Sequence, residues 1–385
     1  MKKLINFYCF CSLVLFSALS FAFSGGTGTQ DDPYQISSCS ELQSINGSLS
    51  SSFILVNDLD CNGFDSGDGK GFMPLGSANY HFHGTLDGNN YTVFNLKINR
   101  PDLNNAGLIG YLGLTGTIKN ISVVNGSVTG AGYSGGIVGY AQGNGNSSNG
   151  VITNLFYQGE VKGGGYLGGV IGYAYTRSVS HSSAIVNVTS SSNLVGGFAG
   201  YLSGAEIIDN HVVCTVVTTS SQGTSIGGFA GVHNGGPNQR FDQNFADCEV
   251  KGNVHVGGLI GTAQSSNITN SYALGQVTGI ENVGGLIGHS SGGSNKVDNS
   301  FSAAKVSGTV YVGGLIGRTY EGQFTDSYWD KERSGQSFSA GGTPKTTAEM
   351  YQQATYVGWD FNSVWMIDEN VNYPHFIIAV NEQAL

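Results

Sequence analysis

In 385 residues this chain carries 61 glycines, only 11% charged residues and a formal net charge of -10. The acidic balance excludes nucleic acid and anionic membrane surfaces as electrostatic partners. Glycine at this level without a period would indicate a flexible low-complexity chain; with a period it indicates a stacked repeat.

Residues 1–22 read as an export signal. Lys2 and Lys3 precede an apolar run from Leu4 to Leu19, and the small residues Ser20 and Ala22 stand at the -3 and -1 positions of a cleavage point before Phe23. The run is short and is interrupted by Asn6 and by serines, which argues against a membrane span. No second long apolar stretch and no lipidation motif follows, so no transmembrane anchor is expected. Loss of the two signal lysines would take the net charge from -10 to -12. Cys9 and Cys11 leave with the signal, while Cys39, Cys61, Cys214 and Cys248 enter an oxidising compartment in an even number, which predicts disulfides.

Residues 23–100 are expected to form an N-terminal cap and the first turns. Ser38-Cys39-Ser40-Glu41 is a capping-box pattern that predicts a short helix through Leu42 and Ile45, followed by the strand-like Phe53 to Val56. A Cys39–Cys61 disulfide is expected to fasten this helix to the first strand. Asp58-Leu59-Asp60-Cys61-Asn62-Gly63 matches the opening of a calcium loop, in which side-chain oxygens alternate around the ion, so Asp58, Asp60 and Asn62 are the metal candidates. Gly69 stands where a bidentate Glu would close such a loop, with Asp65 and Asp68 as the other nearby oxygens, and a turn explains the segment as well. His81 and His83 fall on one side of a short strand, but two imidazoles make an incomplete metal site. No other cofactor is expected.

From residue 101 to 330 a Gly-Gly-apolar-apolar-Gly core recurs. It stands at Ala106–Gly110, Gly135–Gly139, Gly168–Gly172, Gly196–Gly200, Gly227–Gly231, Gly257–Gly261, Gly284–Gly288 and Gly313–Gly317, at intervals of 27 to 33 residues. A second line accompanies it, clearest as Ile268-Thr-Asn-Ser-Tyr-Ala-Leu-Gly-Gln-Val277. Short β-type runs punctuated by turns, with no helical period, predict one β-helix turn of about three strands per unit. The paired glycines fit close backbone approach or turn conformations.

Side-chain direction follows from period-two alternation on strands. Val128, Val161, Val188, Val216, Val250, Val277 and Val306 form one column and are expected inside. Two residues earlier the column includes Val186, Cys214, Cys248 and Ala304, and two earlier again Val124, Tyr157, Ala184, Val212, Ala246, Ala273 and Ser302; both share the inward parity. Cys214 and Cys248 fall on successive units, which brings their Cα atoms to about 5 Å, within disulfide range. Two buried thiols in a dry core are the alternative. Ser127, Glu160, Asn187, Thr215, Glu249, Gln276 and Lys305 face solvent. By the same parity Phe156, His211, Phe245, Tyr272, Phe301 and Tyr328 point outward or sit at a corner, as a ladder that either contacts a ligand or stabilises neighbouring rungs.

The lines Asn-Ser-Tyr-Ala-x-Gly-x-Val-x-Gly and Val-Gly-Gly-Leu-Ile-Gly resemble the GLUG motif of bacterial secreted and surface proteins. That motif occurs in adhesin-like proteins and as a module in some immunoglobulin A peptidases. The segments Asp32 to Ser37 and Phe82 to Leu96 are similar to the N-terminal part of such solenoids, and Ser327 to Asp330, Gly358 to Phe361 and Val364 to Ile367 to their C-terminal finish. The resemblance implies a β-solenoid exposed outside the cell, with motif residues that are structural, and no single activity. No protease motif accompanies it here. Thr346-Thr-Ala-Glu349 repeats the capping-box signal and predicts a helix near Met350 in the C-terminal cap, 331–385.

The expected molecule is all-β: a right-handed parallel β-helix with terminal caps that contain short helices. Its expected function is non-enzymatic, as a secreted or surface-exposed adhesion protein that binds a glycan or a protein through the outward aromatic column. A polysaccharide lyase or hydrolase is the alternative, and a structural spacer the third. Glu160 and Glu249 share an outward column but lie three units apart, about 14 Å, too far for a glycosidase pair. Asp209, Asp242, Asp298 and Asp326 sit near turns and read as turn formers.

Overall fold

A thirty-residue turn of a β-helix has to bend sharply several times, and each bend exposes backbone groups that the core must satisfy. The computed structural model describes residues 23–377, apart from 144–149, 176, 204–205 and 237–238. The export signal with Cys9 and Cys11, and the last eight residues of the C-terminal cap, lie outside the described residues. One turn runs from a long strand such as Ile207–Thr218 through Thr224–Gly227 to Ala230–Asn234, and the next begins at Phe241–Lys251. Equivalent strands pair in parallel: Val216 opposite Val250, Gly227 opposite Gly257, Ala230 opposite Ile260. Three sheets result, of 19, 8 and 7 strands, and the two smaller ones stack in strict chain order. The fold is the expected parallel β-solenoid. Among the described residues, antiparallel pairing is confined to the N- and C-terminal parts, as in Trp365–Met366 with His375–Phe376. No described helix is long and apolar enough to cross a membrane.

The glycine pairs answer a demand for space rather than for torsion. Neither Gly257 nor Gly258 has a positive φ. A Cβ on Gly257 would come within 2.8 Å of the Gly288 amide nitrogen, and one on Gly258 would collide with the Gly285 carbonyl oxygen. Adjacent rungs therefore touch backbone to backbone at this point, which only glycine permits. The two apolar residues that follow turn the corner with both side chains inside: Leu259, Ile260, Leu286 and Ile287 are fully buried, as are Phe198 and Phe229, whose rings stack at 4.6 Å.

A second corner uses left-handed backbone on residues that are not glycine. Asn154, His181, Asp209, Gln243, Asn270, Asn299 and Asp326 all have φ between 43° and 57°, a region that short polar side chains tolerate best. The next residue turns into the core, and its N–H is accepted by a side chain one rung further on. Leu155 donates to Ser182 Oγ (3.1 Å), Ser182 to Asn210 Oδ1 (3.0 Å) and Asn210 to Asn244 Oδ1 (3.0 Å). Asn244 donates to Ser271 Oγ (3.2 Å), Ser271 to Ser300 Oγ (3.1 Å) and Ser300 to Ser327 Oγ (3.3 Å). Every one of these polar side chains is fully or almost fully buried. Burial is tolerated because each acceptor is used.

The inward valine column is buried along its full length, at 4% exposure or less. One assignment in the neighbouring column is corrected: Tyr157 lies opposite Val123, not Val124, while Gly159 lies opposite Gly126. The strand Thr117–Thr129 holds one extra residue there, with Asn125 at φ 56°, so Val123 takes the buried place and Val124 is half-exposed. Cys214 and Cys248, on successive rungs with Cα atoms 4.6 Å apart, form a disulfide, as do Cys39 and Cys61 at 5.6 Å. Cys61 follows the short strand Leu59–Asp60, so its bridge ties the first helix to that turn rather than to the first strand.

Ser38 caps the helix Cys39–Ser44 by accepting the Glu41 N–H, and the Glu41 carboxylate reaches back to the Ser37 N–H at 2.6 Å. At the other end Thr346 and Glu349 form the full capping box of Thr347–Met350. A further one-turn helix, Lys331–Ser334, begins where the Asp330 side chain accepts the Glu332 and Arg333 N–H groups. Asn244→Ala removes the acceptor of one buried amide and the donors to the Ile207 and Asp242 carbonyls. It is expected to cost about 2 kcal/mol or more, read as a lower urea midpoint by circular dichroism, while Asn187→Ala on the exposed face leaves the midpoint in place.

Candidate functional site

Register places Phe156, Ser183, His211, Phe245, Tyr272, Phe301 and Tyr328 opposite one another on successive rungs. The ladder forms: His211–Phe245, Phe245–Tyr272 and Tyr272–Phe301 stack at 5.1, 4.8 and 4.9 Å with planes within 6°. Its expected role as an open contact surface is corrected by what lies on it. The C-terminal segment folds back along the outside of the long strands and sets Met350, Tyr356, Trp359, Trp365 and Phe376 against the column. Tyr272, Phe301 and Tyr328 retain 5, 0 and 7% exposure, and His211 8%. The Trp359 indole N–H donates to the Asp326 carbonyl at 2.9 Å, which fixes the strap at its end. Phe156 and Phe245 stay half-buried. Phe301→Ala is expected to destabilise the protein by about 3–5 kcal/mol, as for other large core truncations, measured by denaturant unfolding; a change below about 1 kcal/mol would contradict this packing.

A different aromatic face is open. The residue after the Gly-Gly core in the first four units is Tyr111, Tyr140, Tyr173 and Tyr201, and the next residue, Leu112, Ala141, Ala174 or Leu202, is fully buried. Alternation therefore turns the four tyrosines outward. Their rings stack at 4.6, 4.9 and 4.8 Å, and His81 extends the row by lying on Tyr111 at 4.0 Å. Tyr133 and Tyr166, at left-handed corners with φ 49° and 55°, make a second row stacked at 4.7 Å. They meet the first row edge-on, Tyr133 with Tyr140 at 5.6 Å and Tyr166 with Tyr173 at 5.4 Å. All seven rings are half-exposed. The signal was in the sequence, one tyrosine after each of the first four cores, but it lies outside the line that carries the column from Phe156 to Tyr328.

Stacking spends most ring faces on each other, so the row presents ring edges and phenolic oxygens at the rung repeat of about 4.8 Å. Mutual burial, with Tyr111 and Tyr133 adding to it, pushes the Tyr140 hydroxyl up to about 12, and Tyr111, Tyr166 and Tyr173 shift the same way through burial. Beyond Tyr201 the column continues as Val232, Thr262, His289 and Arg318. The Arg318 guanidinium sits 4.6 Å from the Tyr311 ring and 4.8 Å from Tyr320. Burial, with His289 and Arg318 adding to it, holds His255 near 4. A phenol pushed upward stabilises the fold fully below the ordinary value of 10 and loses that contribution as pH rises towards about 12. Phenolate absorbance of the folded chain should therefore show a late-ionising group of tyrosines, together with falling stability across that window; a single transition near 10 in the folded state would contradict the stacked face.

The metal candidates are not drawn into one ligand set. Asp58 Oδ1 accepts the Thr92 N–H at 2.8 Å, and Asp60 Oδ1 accepts the Asn62 N–H at 3.0 Å and the Asn95 amide at 2.7 Å. Asp65 accepts the N–H groups of Gly67, Gly69 and Gly71, and Asp68 pairs with Arg100 at 2.6 Å, which holds its carboxyl near 2. These oxygens face N–H donors as turn formers do. Among the described residues no group of three or more His, Cys, Asp or Glu side chains converges. His81 is stacked on Tyr111, 5.6 Å from the His83 ring. Glu160 is paired with Lys162 at 2.6 Å and with the Ser127 hydroxyl. A shallow groove that sequence reasoning missed is lined by Asp247, Glu249, Gln276, Lys305 and Arg333.

The sequence model of the GLUG motif matches residues 252–278. A Gly-rich membrane protein of Evansella cellulosilytica is 32% identical over 92% of this chain and 46% of its own length. Halomucin of Haloquadratum walsbyi is 38% identical over 35% of this chain and 2% of its own length. The chain thus spans less than half the length of either relative. Among solved structures, a protein described as an immunoglobulin A1 protease from Bacteroides ovatus is 21% identical, with coverage of 92% and 95% and a TM-score of 0.46. A second, named IgA1 protease, is 16% identical, with coverage of 90% and 26% and a TM-score of 0.47.

Proposed function

We propose that this GLUG-motif β-solenoid is an exported, non-catalytic interaction protein that holds a glycan or a protein at the cell surface. The open tyrosine face is its contact surface, in place of the aromatic column that the C-terminal segment covers. The observation that carries this reading is the two-row array of seven half-exposed rings spread over five successive rungs. Tyrosine offers large contact area at low entropic cost together with a polar edge, and contiguous exposed aromatic area marks interaction sites. The export signal expected in residues 1–22 supports an extracellular setting, and so does a relative named as a membrane protein.

Because ring faces are spent on stacking, the hydroxyls are what a partner along the axis meets. Replacing Tyr140, Tyr173 and Tyr201 together by Phe keeps the stack and removes that row of donors and acceptors. Binding of the purified chain to arrays of cell-surface glycans and proteins is expected to weaken about tenfold or more, equivalent to about 1.4 kcal/mol, with circular dichroism unchanged. Equal affinity would remove the tyrosine face as the contact surface.

The groove with Asp247 and Glu249 favours a polysaccharide-cleaving enzyme as the second reading. Asp247 and Glu249 stand two residues apart on one face of Phe241–Lys251, with Cα atoms about 7 Å apart, and paired carboxylates on one face are what a glycosidase uses. Both residues are exposed in a shallow groove, without the enclosed cleft that catalysis of this kind uses to exclude water.

A further inference from the structure

We infer that the hollow at the N-terminal end of the tyrosine face is a binding pocket for an uncharged sugar ring. It rests on the reading of that face as a contact surface and names the chemistry of what is held there. The hollow measures about 800 Å³ and lies between the cap, the turn that carries Tyr80, and the turn at Leu103 to Asn105. It opens onto the tyrosine face on two sides: Tyr80 directly precedes His81, the first ring of the stacked row, and the Asn105 N–H donates to the Gly132 carbonyl beside Tyr133.

Three features of the lining select the ligand. First, Tyr80 is 73% exposed and, among the described residues, stacks on no other ring, so its faces are free where those of Tyr140 and Tyr173 are spent. The turn that presents it is closed by its backbone: Ser77 N–H donates to the Tyr80 carbonyl at 2.7 Å and Tyr80 N–H to the Ser77 carbonyl at 3.1 Å. Second, the amides of Asn79, Asn104 and Asn105 make no side-chain hydrogen bond among the described residues and stand ready as donors and acceptors. Asn46, in the floor, is already used by the Pro74 carbonyl and the Gly76 N–H. Third, no Asp, Glu, Lys or Arg lines the hollow, whereas the groove on the long-strand side contains Asp247, Glu249, Lys305 and Arg333.

An anionic or cationic ligand would find no countercharge here. A purely apolar one would strip water from three amides and return no hydrogen bond. A pyranose ring satisfies both demands, with its C–H face on the Tyr80 ring and its hydroxyls on the amides.

The test uses the full chain and a panel of neutral polysaccharides (a β-glucan, a mannan, a galactan) beside an acidic one, by affinity electrophoresis and calorimetry. Wild type is expected to bind a neutral member, Tyr80→Ala to weaken that binding about tenfold or more, Asn104→Ala to weaken it less, and Tyr80→Trp to retain it. If wild type binds a neutral polysaccharide and Tyr80→Ala binds it equally well, the pocket is overturned, while the tyrosine face stands on the response to the triple Phe variant. Binding to the acidic polysaccharide alone, or to no member of the panel, also overturns the pocket. The second of these leaves the tyrosine face to be judged by its protein partners.

Discussion

The N–H that each left-handed corner turns into the core has to find an acceptor, and the acceptor is a Ser or Asn side chain one rung away. This interaction links seven successive rungs, from Leu155 to Ser327, and admits only one alignment among them. A slip by one residue would move the serine or asparagine out of the core and leave a buried amide unpaired, at a cost comparable to a lost hydrogen bond per rung. The glycine contacts impose the same alignment from the opposite side of the turn, since backbone meets backbone there without room for a Cβ. Register is therefore specified twice per unit by residues that carry no chemistry of their own.

Fixed register turns any residue type that recurs at one position into a ladder, and the fate of a ladder depends on what covers it. Phe198 and Phe229 stack inside and fill the core. On the long strands His211, Phe245, Tyr272 and Phe301 stack outside, and Tyr272, Phe301 and Tyr328 are roofed by the C-terminal segment. The row from His81 to Tyr201 stacks outside and stays open. The same physics gives stability in the first case, attachment of a cap in the second and a contact surface in the third. Periodicity alone does not distinguish the second case from the third.

That limit explains which parts of the structure were legible in the sequence. The valine column, the outward polar column, the parallel stacking and the approach of Cys214 to Cys248 follow from local alternation and a repeat length, because they depend only on neighbouring rungs, whereas the Cys39–Cys61 pair was expected from the even cysteine count in an oxidising compartment. Tyr272, Phe301 and Tyr328 were placed on the correct side of the strand, yet their cover comes from residues up to a hundred positions away: Trp365 reaches Asn270 across 95 residues. No period encodes such a contact. The extra residue at Val124 was missed for a related reason, since a bulge interrupts the alternation from which direction is read. The serine in Asn-Ser-Tyr was not legible as a buried acceptor, because the left-handed asparagine before it resets the parity.

The roof over the aromatic column also bears on where binding is located. A solenoid must close its last rung against edge-to-edge pairing, and here Thr343–Lys345 adds one more parallel strand before the chain turns back along the outside. By laying Trp359, Trp365 and Phe376 against Tyr272, Phe301 and Tyr328, the cap removes this part of the aromatic column from water. What that side still offers is the half-buried Phe156 and Phe245 and the polar and charged Asp247, Glu249, Gln276 and Lys305. The face that follows the Gly-Gly cores has no such cover among the described residues, and in its first four units it keeps tyrosine, whose hydroxyl edge meets water while stacking covers much of the ring faces. One set of aromatics thus closes the fold, and the other is left at an edge chemistry suited to a hydroxylated partner.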